Sequence, residues 1–401
     1  MIFAYFVFPH LGGTFTVYRH LREGLAGAGI DLNWLGTGAA AHAAAADPAW
    51  ASERAHGLVT GRPGDDAAAQ AEALVEALEG GDFDGLFVNV YADLVQTNAV
   101  RYLAPHLTRI MIVHNITPAT YAAARAVRDH VHATIGVSPR IRDDLVKSFG
   151  FDPQWTFAIP NATDVAAHLP KARPLATSTP LRLLSLGRID DGAKGVFWLP
   201  AILRALPPEM TLTIAGTGPD LPRLRELCAP FGERVRFVGA VAPADVGALM
   251  NAHDLLIAPS RFEGFMITLV EAMAQGCVPV VSQIGGVTDA IVTDGVDGLL
   301  FPVGDWRAAA RAILRLDADR AMLHAMSAAG RQTVHERYRV ETMAARYREV
   351  IRRLALGRPR IAEPLPLGDW RLAAGLGPGL RSFVPLPIKN LLRTVRERAA
   401  S

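Results

Sequence analysis

The stretch DLLIAPSRFEGFMITLVEAMAQGCVPVVS (254–282) contains two short apolar runs separated by a polar loop and a helical segment. The runs 254–260 and 278–282 are predicted strands. The helix between them should begin near Thr268 and end at Gly276, because glycine commonly follows a helix C-terminus. Continuous apolar strands joined through helices are typical of a parallel sheet that is covered on both faces. This stretch therefore predicts an α/β fold.

Two series of such elements follow one another along the 401 residues. The predicted strands are 2–8, 85–90, 109–115, 132–138 and 157–164 in the first series, and 182–188, 212–218, 235–241, 254–260, 278–282 and 298–304 in the second. A chain of this length is too long for one typical core, so two doubly wound domains are expected. The first domain is expected at 1–165 and the second at 181–338, with a linker that contains Pro, Ser and Thr at 166–180 between them. An amphipathic helix at 339–357 and a basic tail at 358–401 are expected to follow.

The composition is that of a globular protein without a general affinity for nucleic acid. Half of the residues are hydrophobic, and the formal net charge is +2. No apolar run approaches the length of a membrane span, and the start MIFAYFVFPHLGG (1–13) has no cationic leader, so a buried strand is expected there rather than a signal peptide. Cys228 and Cys277 are predicted to be small core residues in a reducing compartment. We therefore expect a cytoplasmic location.

Two carboxylates flank the predicted start of the helix in 254–282. Glu263 lies in the loop before the helix and Glu271 lies inside it, eight positions later. Ligands of open parallel sheets bind at the carboxyl ends of the strands, which is where this loop is predicted to lie. The alternative is structural: Thr268 and Glu271 fit the spacing of a capping box, in which the glutamate only caps its own helix.

A second loop, LGRIDDGAKG (186–195), also follows a predicted strand, and it carries Arg188 and Lys194. Two cations beside a helix N-terminus can bind a diphosphate, although two solvated surface charges are the alternative. Carboxylates beside a diphosphate would repel it unless they accept hydrogen bonds from hydroxyl groups. A nucleotide-sugar has hydroxyls on both sides of its diphosphate, so the two loops together predict a nucleotide-sugar site.

The chain resembles a known enzyme family at these motifs. EGFMITLVEAMAQGCVPVV (263–281) resembles the E-x7-E signature of the retaining GT-B glycosyltransferases grouped as family 4, and GRIDDGAKG (187–195) is similar to that family's donor-phosphate segment. The segments FVGAV, IPNATD, GLLFPVGD and ERYRVETMAARYREVI resemble further landmarks of the family. The resemblance covers about residues 1–356. It implies two facing Rossmann-like domains that close about the linker, and a crossover helix that returns to the N-terminal domain.

The resemblance also implies roles for individual residues. Glu271 would bind the ribose hydroxyls, and Glu263 would be a catalytic residue facing the donor sugar. His114 would be a second catalytic residue near the sugar, with a purely structural histidine at a strand end as the alternative. At the other donor-binding positions, Arg188 and Lys194 would bind the diphosphate, and Ala240 and Val241 would contact the base. Gly264 and the backbone amides of Phe265, Met266 and Ile267 would lie near the sugar. At Gly13, the backbone would approach the phosphates or the acceptor.

The implied activity is transfer of a sugar, with retention of configuration, from a UDP- or GDP-sugar to a hydroxyl of a glycan or lipid-linked acceptor. The donor domain would be the C-terminal one, and the acceptor would bind mostly to the N-terminal one. No cofactor is expected. No essential metal is expected either, because the sequences DFD (82–84) and DAD (317–319) are interpreted as surface acids rather than as a metal clamp.

Three other functions remain open at this point. A nucleotide-sugar epimerase on the same fold would act on the donor alone. A glycoside hydrolase would use Glu263 and Glu271 as acid and nucleophile, but it would have no use for the two cations. A non-catalytic protein could bind the sugar nucleotide without turning it over.

The C-terminal tail ends in the amphipathic sequence PIKNLLRTVRERA (387–399). A helix there would place apolar residues on one face and basic residues around it, namely Ile388, Leu391, Leu392 and Val395, and Lys389, Arg393, Arg396 and Arg398. Such a helix is expected either to dock on the protein or to contact an anionic membrane surface.

Overall fold

The computed structural model describes residues 1–90, 93–164, 180–377, 379 and 383–400. The chain forms two compact units. The first contains Met1–Ala162 and Val340–Phe383, and the second contains Thr163–Arg339 and Val384–Ser401. The predicted linker 166–180 lies outside the described residues except for Pro180.

The first unit is built on a seven-stranded parallel sheet with the strand order β3-β2-β1-β4-β5-β6-β7. Its strands are β1 (Ile2–Phe6), β2 (Asp31–Thr37), β3 (Gly57–Thr60), β4 (Gly85–Asn89), β5 (Thr108–Val113), β6 (Ala133–Gly136) and β7 (Thr156–Ala158). Apart from β2 and β3, each strand overlaps a predicted apolar run, with β5 and β7 beginning one residue earlier than predicted. The central strands are almost completely buried, as expected for a sheet that helices cover on both faces.

Six helices connect these strands, and short polar side chains define where several of them begin. They are α1 (Gly13–Ala26), α2 (Gly38–Ala46), α3 (Ala67–Gly80), α4 (Leu94–Ala99), α5 (Pro118–Val127) and α6 (Pro139–Phe149). Asp66, Asp93 and Ser138 each accept a hydrogen bond from a backbone amide in the first turn of the helix that follows.

The second unit is built on a six-stranded parallel sheet with the order β10-β9-β8-β11-β12-β13. Its strands are β8 (Arg182–Leu186), β9 (Thr211–Ala215), β10 (Val235–Gly239), β11 (Leu255–Ala258), β12 (Val278–Gln283) and β13 (Leu299–Pro302). Its helices are α7 (Asp191–Lys194), α8 (Leu199–Arg204), α9 (Leu221–Cys228), α10 (Pro243–Asn251), α11 (Ile267–Ala274), α12 (Trp306–Ala318) and α13 (Arg320–Arg337). The predicted α/β fold with two parallel sheets is confirmed.

Helix α11 begins one residue earlier than predicted, and this excludes a capping box. Its N-cap is Met266, without a side-chain hydrogen bond, so Glu271 lies at the fifth helical position. A capping-box glutamate lies at the third position, from which its side chain reaches back to the N-cap amide. The interpretation of Glu271 as a capping residue is therefore wrong. The helix ends near Gly276 as predicted, and this glycine has a left-handed φ of 73°.

Two glycines after β9 allow two loops to touch. A Cβ on Gly216 would lie 1.9 Å from the carbonyl oxygen of Gly187, and a Cβ on Gly218 would lie 2.2 Å from that of Ile189. Gly216 also has a φ of 131°, which side chains rarely adopt. The sequence GTG (216–218) therefore serves close packing of the loop after β9 against the loop after β8.

The C-terminal part of the chain is divided between the two units. Helix α14 (Val340–Leu356) belongs to the first unit, where Ala344 packs against Gly24 of α1. The following segment also stays on this unit, with the Trp370 ring 4.8 Å from the Tyr102 ring. Helix α15 (Leu386–Ala400) belongs to the second unit. The tail 358–401, which was expected to be one segment, is thus divided: its part up to Phe383 belongs to the first unit, and its part from Val384 belongs to the second.

Several sequence features have a direct structural outcome. Cys228 and Cys277 are buried and free, as predicted. In the acidic sequences 82–84 and 317–319, Asp84 accepts a hydrogen bond from the Ile2 amide, and Asp319 caps helix α13. Of the helices in the described ranges, none combines the length and the apolar character needed to cross a bilayer.

Candidate active site

A cleft lies at the carboxyl ends of β8, β9 and β11, entirely within the second unit. The empty space in it, counted together with the part that is open to solvent, is about 390 Å³. Its lining includes six polar or charged residues and one glycine, namely Ser185, Arg188, Lys194, Ser260, Glu263, Thr268 and Gly187. The position agrees with the general rule for ligand sites in open α/β sheets.

Lys194 and Glu263 form an ion pair inside this cleft. The distance from Lys194 Nζ to Glu263 Oε1 is 2.6 Å, and the same oxygen accepts a hydrogen bond of 2.7 Å from Ser260 Oγ. The Glu263 side chain is only 8% exposed, whereas that of Lys194 is 31% exposed. One oxygen of the carboxylate is therefore held by two donors, and the Lys194 side chain, which lines the cleft, stays partly exposed.

Arg188 lies at the mouth of the cleft. Its guanidinium is 2.7 Å from Asp190 Oδ2, and its side chain is 65% exposed. An exposed ion pair of this kind contributes little to stability, so Arg188 can exchange its partner at low cost. The structure thus brings Arg188, Lys194 and Glu263 together, as the sequence predicted, but each cation is paired with a carboxylate of the protein.

A buried pair that the sequence did not predict joins the two loops. Arg261 Nη2 donates to Asp191 Oδ2 at 2.8 Å, and Arg261 Nε donates to the Asp191 carbonyl oxygen at 2.8 Å. The guanidinium lies 3.9 Å from the centroid of the Trp198 ring. Asp191 Oδ1 accepts from the Phe197 amide, and the Asp191 amide donates to Asp220 Oδ2. With every polar group of Asp191 engaged, the loop that carries Lys194 is held against the loop that carries Glu263.

Glu271 is half-buried and does not line the cleft. Within the described residues, no side chain or amide donates a hydrogen bond to its carboxylate, and burial raises its pKa to about 7. The charged form is destabilised because it has lost water without gaining a partner. A ligand hydroxyl that donated to Glu271 would supply the missing hydrogen bond.

The remaining donor-binding candidates lie on two segments of the second unit, one after β11 and one after β10. Gly264 and Met266 are buried in the loop before α11, and Met266 also lines the cleft. The Phe265 side chain packs near Tyr338, with 6.0 Å between the ring centroids. Ile267 is the first residue of α11. Ala240 and Val241 follow β10, two strands away from β8, and neither lines the cleft.

His114 and Gly13 belong to the first unit. His114 follows β5, and its Nε2 is 2.8 Å from Asn89 Oδ1, while Asn89 Nδ2 donates to the Phe6 carbonyl oxygen. Burial lowers the pKa of His114 to about 4, so its imidazole is neutral at neutral pH. Gly13 begins α1, and His10 bridges Phe8 and Thr14 beside it. His114 thus follows the carboxyl end of β5, and Gly13 lies in the segment that follows β1.

Two cleft residues, Ser260 and Thr268, were not singled out as ligands from the sequence, and Arg261 was not recognised as structural. Ser260 and Arg261 lie three and two residues before Glu263 in the loop after β11. The sequence signal that could have identified Ser260 and Arg261 was their position at the end of a predicted strand. The bond from Ser260 to Glu263 and the bond from Arg261 to Asp191 depend on tertiary contacts that local patterns do not contain.

Comparison with known proteins relates the second unit to sugar-transferring enzymes. Residues 180–319 match the family model described as Glycosyl transferases group 1. The phosphatidyl-myo-inositol mannosyltransferase of Mycolicibacterium smegmatis is 31% identical over 221 residues, which cover 53% of this chain and 55% of that protein. The chain thus spans about half the length of the curated relatives that it matches.

Solved structures resemble the chain over most of its length. Sucrose-phosphate synthase from Thermosynechococcus elongatus superposes with a TM-score of 0.75 at 21% identity, covering 88% of this chain and 99% of that one. Anabaena HepE in complex with UDP-glucose gives a TM-score of 0.73 at 19% identity, covering 89% and 100%. At these identities the likeness shows the fold alone. The chain has the GT-B fold, with two Rossmann-like units, and its residues 180–319 carry the sequence pattern of the group 1 glycosyltransferases.

Proposed function

We propose that this protein is a retaining glycosyltransferase of the E-x7-E type that moves a sugar from a nucleoside-diphosphate sugar to an acceptor hydroxyl. The observation that carries the proposal is the Lys194–Glu263 pair in an open cleft at the carboxyl ends of three parallel strands. An ammonium that faces the cleft fits a diphosphate, and a carboxylate beside it fits a sugar hydroxyl. Among structures with the same fold, HepE was solved with UDP-glucose, which supports a UDP-sugar as one candidate donor beside a GDP-sugar.

In this proposal, the cations act on the charge that develops as the sugar–phosphate bond breaks. The bonding electrons leave with the diphosphate, and Lys194 and Arg188 stabilise the negative charge there. The acceptor hydroxyl attacks from the face that the diphosphate leaves, so the configuration is retained. Its proton passes to a departing phosphate oxygen. Glu263 orients the donor sugar through a hydroxyl, and Glu271 accepts from the ribose.

Donor binding requires a change of partner at both cations. The diphosphate must replace Asp190 as the partner of Arg188 and must share Lys194 with Glu263. Glu263 then loses part of its interaction with Lys194. A hydroxyl of the sugar that donates to Glu263 makes up for this loss, and the hydrogen bond from Ser260 is kept. Nucleoside diphosphate without a sugar lacks that donor, so the sugar contributes to affinity through Glu263.

The acceptor is proposed to bind to the first unit, with His114 and Gly13 among its contacts. The neutral imidazole of His114 is suited to accept or donate a hydrogen bond rather than to carry charge. The acceptor is proposed to be a glycan or a lipid-linked saccharide. The relative from M. smegmatis supports a lipid-linked acceptor, because its name joins a phospholipid to mannosyl transfer.

Helix α15 supports a peripheral position on the cytoplasmic face of a membrane. Six of the thirteen exposed large hydrophobic side chains among the described residues are concentrated there and just before it, namely Phe383, Leu386, Ile388, Leu391, Leu392 and Val395. A cluster of this kind marks an interaction surface. Arg396 is exposed beside it, and Arg393 and Arg398 in addition donate hydrogen bonds to the second unit.

The membrane proposal predicts the outcome of a vesicle-binding experiment. The wild-type chain should co-sediment with vesicles of mixed phosphatidylcholine and phosphatidylglycerol. The double variant Leu391→Glu/Leu392→Glu should bind at least about tenfold more weakly, because two exposed apolar side chains are lost from the surface. Leu356→Glu changes an exposed leucine of the first unit and serves as the control. Equal sedimentation of the double variant and the control would contradict the proposal.

A panel of nucleotides tests the proposed function itself. The melting temperature is measured with UDP, GDP and ADP and with their glucose, mannose and N-acetylglucosamine conjugates. A donor at about one hundred times its Kd adds roughly 2.7 kcal/mol to the stability of the folded state and should raise the melting temperature by several degrees. Incubation of the best donor alone, followed by analysis of the sugar, separates a transferase from an epimerase. If no nucleotide shifts the melting temperature, the assignment as a nucleotide-sugar enzyme fails.

A further inference from the structure

Helix α15 contacts the second unit through its polar face. The inward side chains follow helical spacing and include Asn390, Arg393, Thr394 and Glu397, while the apolar face points away from the unit. Soluble proteins usually bury the apolar face of a surface helix. A helix that docks with its polar face must therefore be held by specific hydrogen bonds rather than by hydrophobic burial.

The partners of this polar face are the two loops that form the candidate donor site. Arg393 Nη1 donates to the Gly192 carbonyl oxygen at 3.3 Å, and its guanidinium lies 4.5 Å from the Phe262 ring centroid. Gly192 is two residues before Lys194, and Phe262 directly precedes Glu263. One side chain of α15 thus contacts both loops close to the residues that form the ion pair in the cleft.

A second contact reaches the buried pair that joins the loops. Arg261 Nη1 donates to Thr394 Oγ1 at 3.3 Å, while the other nitrogens of the same guanidinium bind Asp191. At the far end of the helix, Arg398 Nε donates to the Val303 carbonyl oxygen. Gly304 packs closely beside this helix, because a Cβ there would lie 3.0 Å from the Trp198 side chain and 3.1 Å from the Thr394 side chain. The helix therefore closes the outer side of the Asp191–Arg261 network.

We propose that α15 is a positioning element for the donor site, and that Arg393 and Thr394 are its positioning residues. They hold the loops 190–195 and 260–263 in the arrangement that places Lys194 and Glu263 in the cleft. Releasing the helix leaves these loops with fewer conformational restraints, so the protein must order them when the diphosphate binds. This inference rests on the proposed function for its ligand, but it adds a part of the chain that neither sequence motif contains.

The first experiment compares two arginines of the same helix. Arg393→Ala is expected to weaken binding of UDP or GDP, whichever the wild type binds more tightly, by about fivefold to tenfold, because a charge-assisted hydrogen bond and a cation–π contact are lost. Arg396→Ala removes an exposed arginine from α15 and should leave affinity within about twofold. Dissociation constants are measured by titration calorimetry, and circular dichroism checks that both variants are folded.

Two conservative variants of Thr394 distinguish a positioning role of this residue from a general loss of packing. Thr394→Val keeps the shape of the side chain but removes the acceptor for Arg261, and it should weaken nucleotide binding by about threefold. Thr394→Ser keeps the acceptor and should bind like the wild type. Equal affinities for Thr394→Val and Thr394→Ser, together with wild-type affinity for Arg393→Ala, would overturn the inference.

Hydrogen exchange provides a readout that does not need a ligand. In Arg393→Ala, the amides of Ala193 and Lys194, which donate to the Asp190 carbonyl oxygen, should exchange faster than in the wild type, while those of strand β12 should not change. Unchanged exchange at these two amides would refute positioning by α15 whatever the ligand. If the wild type binds neither UDP nor GDP, the proposed donor fails, and exchange alone then decides whether α15 orders the loop.

Discussion

Replacement of Lys194 by methionine is expected to lower kcat by about 10²–10³-fold, because the substitution removes a preorganised positive charge from the leaving diphosphate. Methionine keeps the length and the apolar stem of lysine, so packing around the stem is disturbed little. Affinity for the nucleoside diphosphate should also fall. The rate is measured as release of nucleoside diphosphate from the donor that the nucleotide panel identifies.

The structure also predicts a cost in stability for Lys194→Met. Glu263 is buried and would lose its cationic partner, keeping only the Ser260 hydroxyl. A buried carboxylate that loses one partner destabilises the fold by roughly 1–3 kcal/mol. The double variant Lys194→Met/Glu263→Gln should recover most of this stability without recovering activity, which separates the catalytic effect from unfolding.

The matched control for this prediction is Lys147→Met. Lys147 lies on α6 of the first unit, where its 71% exposed side chain pairs with Asp143. Its replacement should change kcat less than about twofold, as for most exposed ion pairs. A rate for Lys194→Met within about threefold of the control would exclude a role for Lys194 at the leaving diphosphate.

Replacement of Glu263 by glutamine is expected to lower kcat by at least about 10²-fold while leaving binding of the nucleoside diphosphate unchanged or tighter. Glutamine keeps the shape and one oxygen acceptor, so Lys194 remains near the cleft. Without the carboxylate charge, Lys194 no longer has a competing anion, and the diphosphate is repelled less. The donor sugar, in contrast, loses the carboxylate that would accept from its hydroxyl.

Glu271→Gln is the matched comparison, because it makes the same chemical change on the same helix–loop segment. If Glu271 accepts from the ribose, this variant should weaken nucleoside diphosphate binding, opposite in sign to Glu263→Gln. The effect should be largest above pH 7, where Glu271 with its raised pKa is ionised in the wild type. Two variants with the same sign on affinity would contradict the division of roles between the carboxylates.

Most strands were predictable from the sequence because they are continuous apolar runs, but β2 and β3 were not. Strand β2 has the sequence DLNWLGT, in which Asp31, Asn33 and Gly36 interrupt the apolar run. It is a strand because it pairs with β1 on one side and β3 on the other. Pairing with neighbours overrides weak local preference in a sheet, and the sequence of one strand does not contain that information.

The sequence predicted the charged residues that line the candidate site, but not which side chains they contact. Arg188, Lys194 and Glu263 were placed near one another because loops that follow parallel strands meet at one edge of a sheet. Their actual partners were not predictable. The separation of Lys194 and Glu263 by 69 positions and that of Arg261 and Asp191 by 70 positions mean that only packing decides which side chains meet.

The amino-acid sequence by itself determined the alternation of strands and helices, the glycine that ends α11 and the two apolar series that make two sheets. These are local properties, since hydrophobic periodicity and backbone preferences act over a few neighbouring residues. Only the tertiary structure decided that Lys194 pairs with Glu263 and that α15 docks through its polar face. An amphipathic pattern specifies two faces of a helix but not which of them meets the protein, because that choice depends on the surface that the rest of the chain presents.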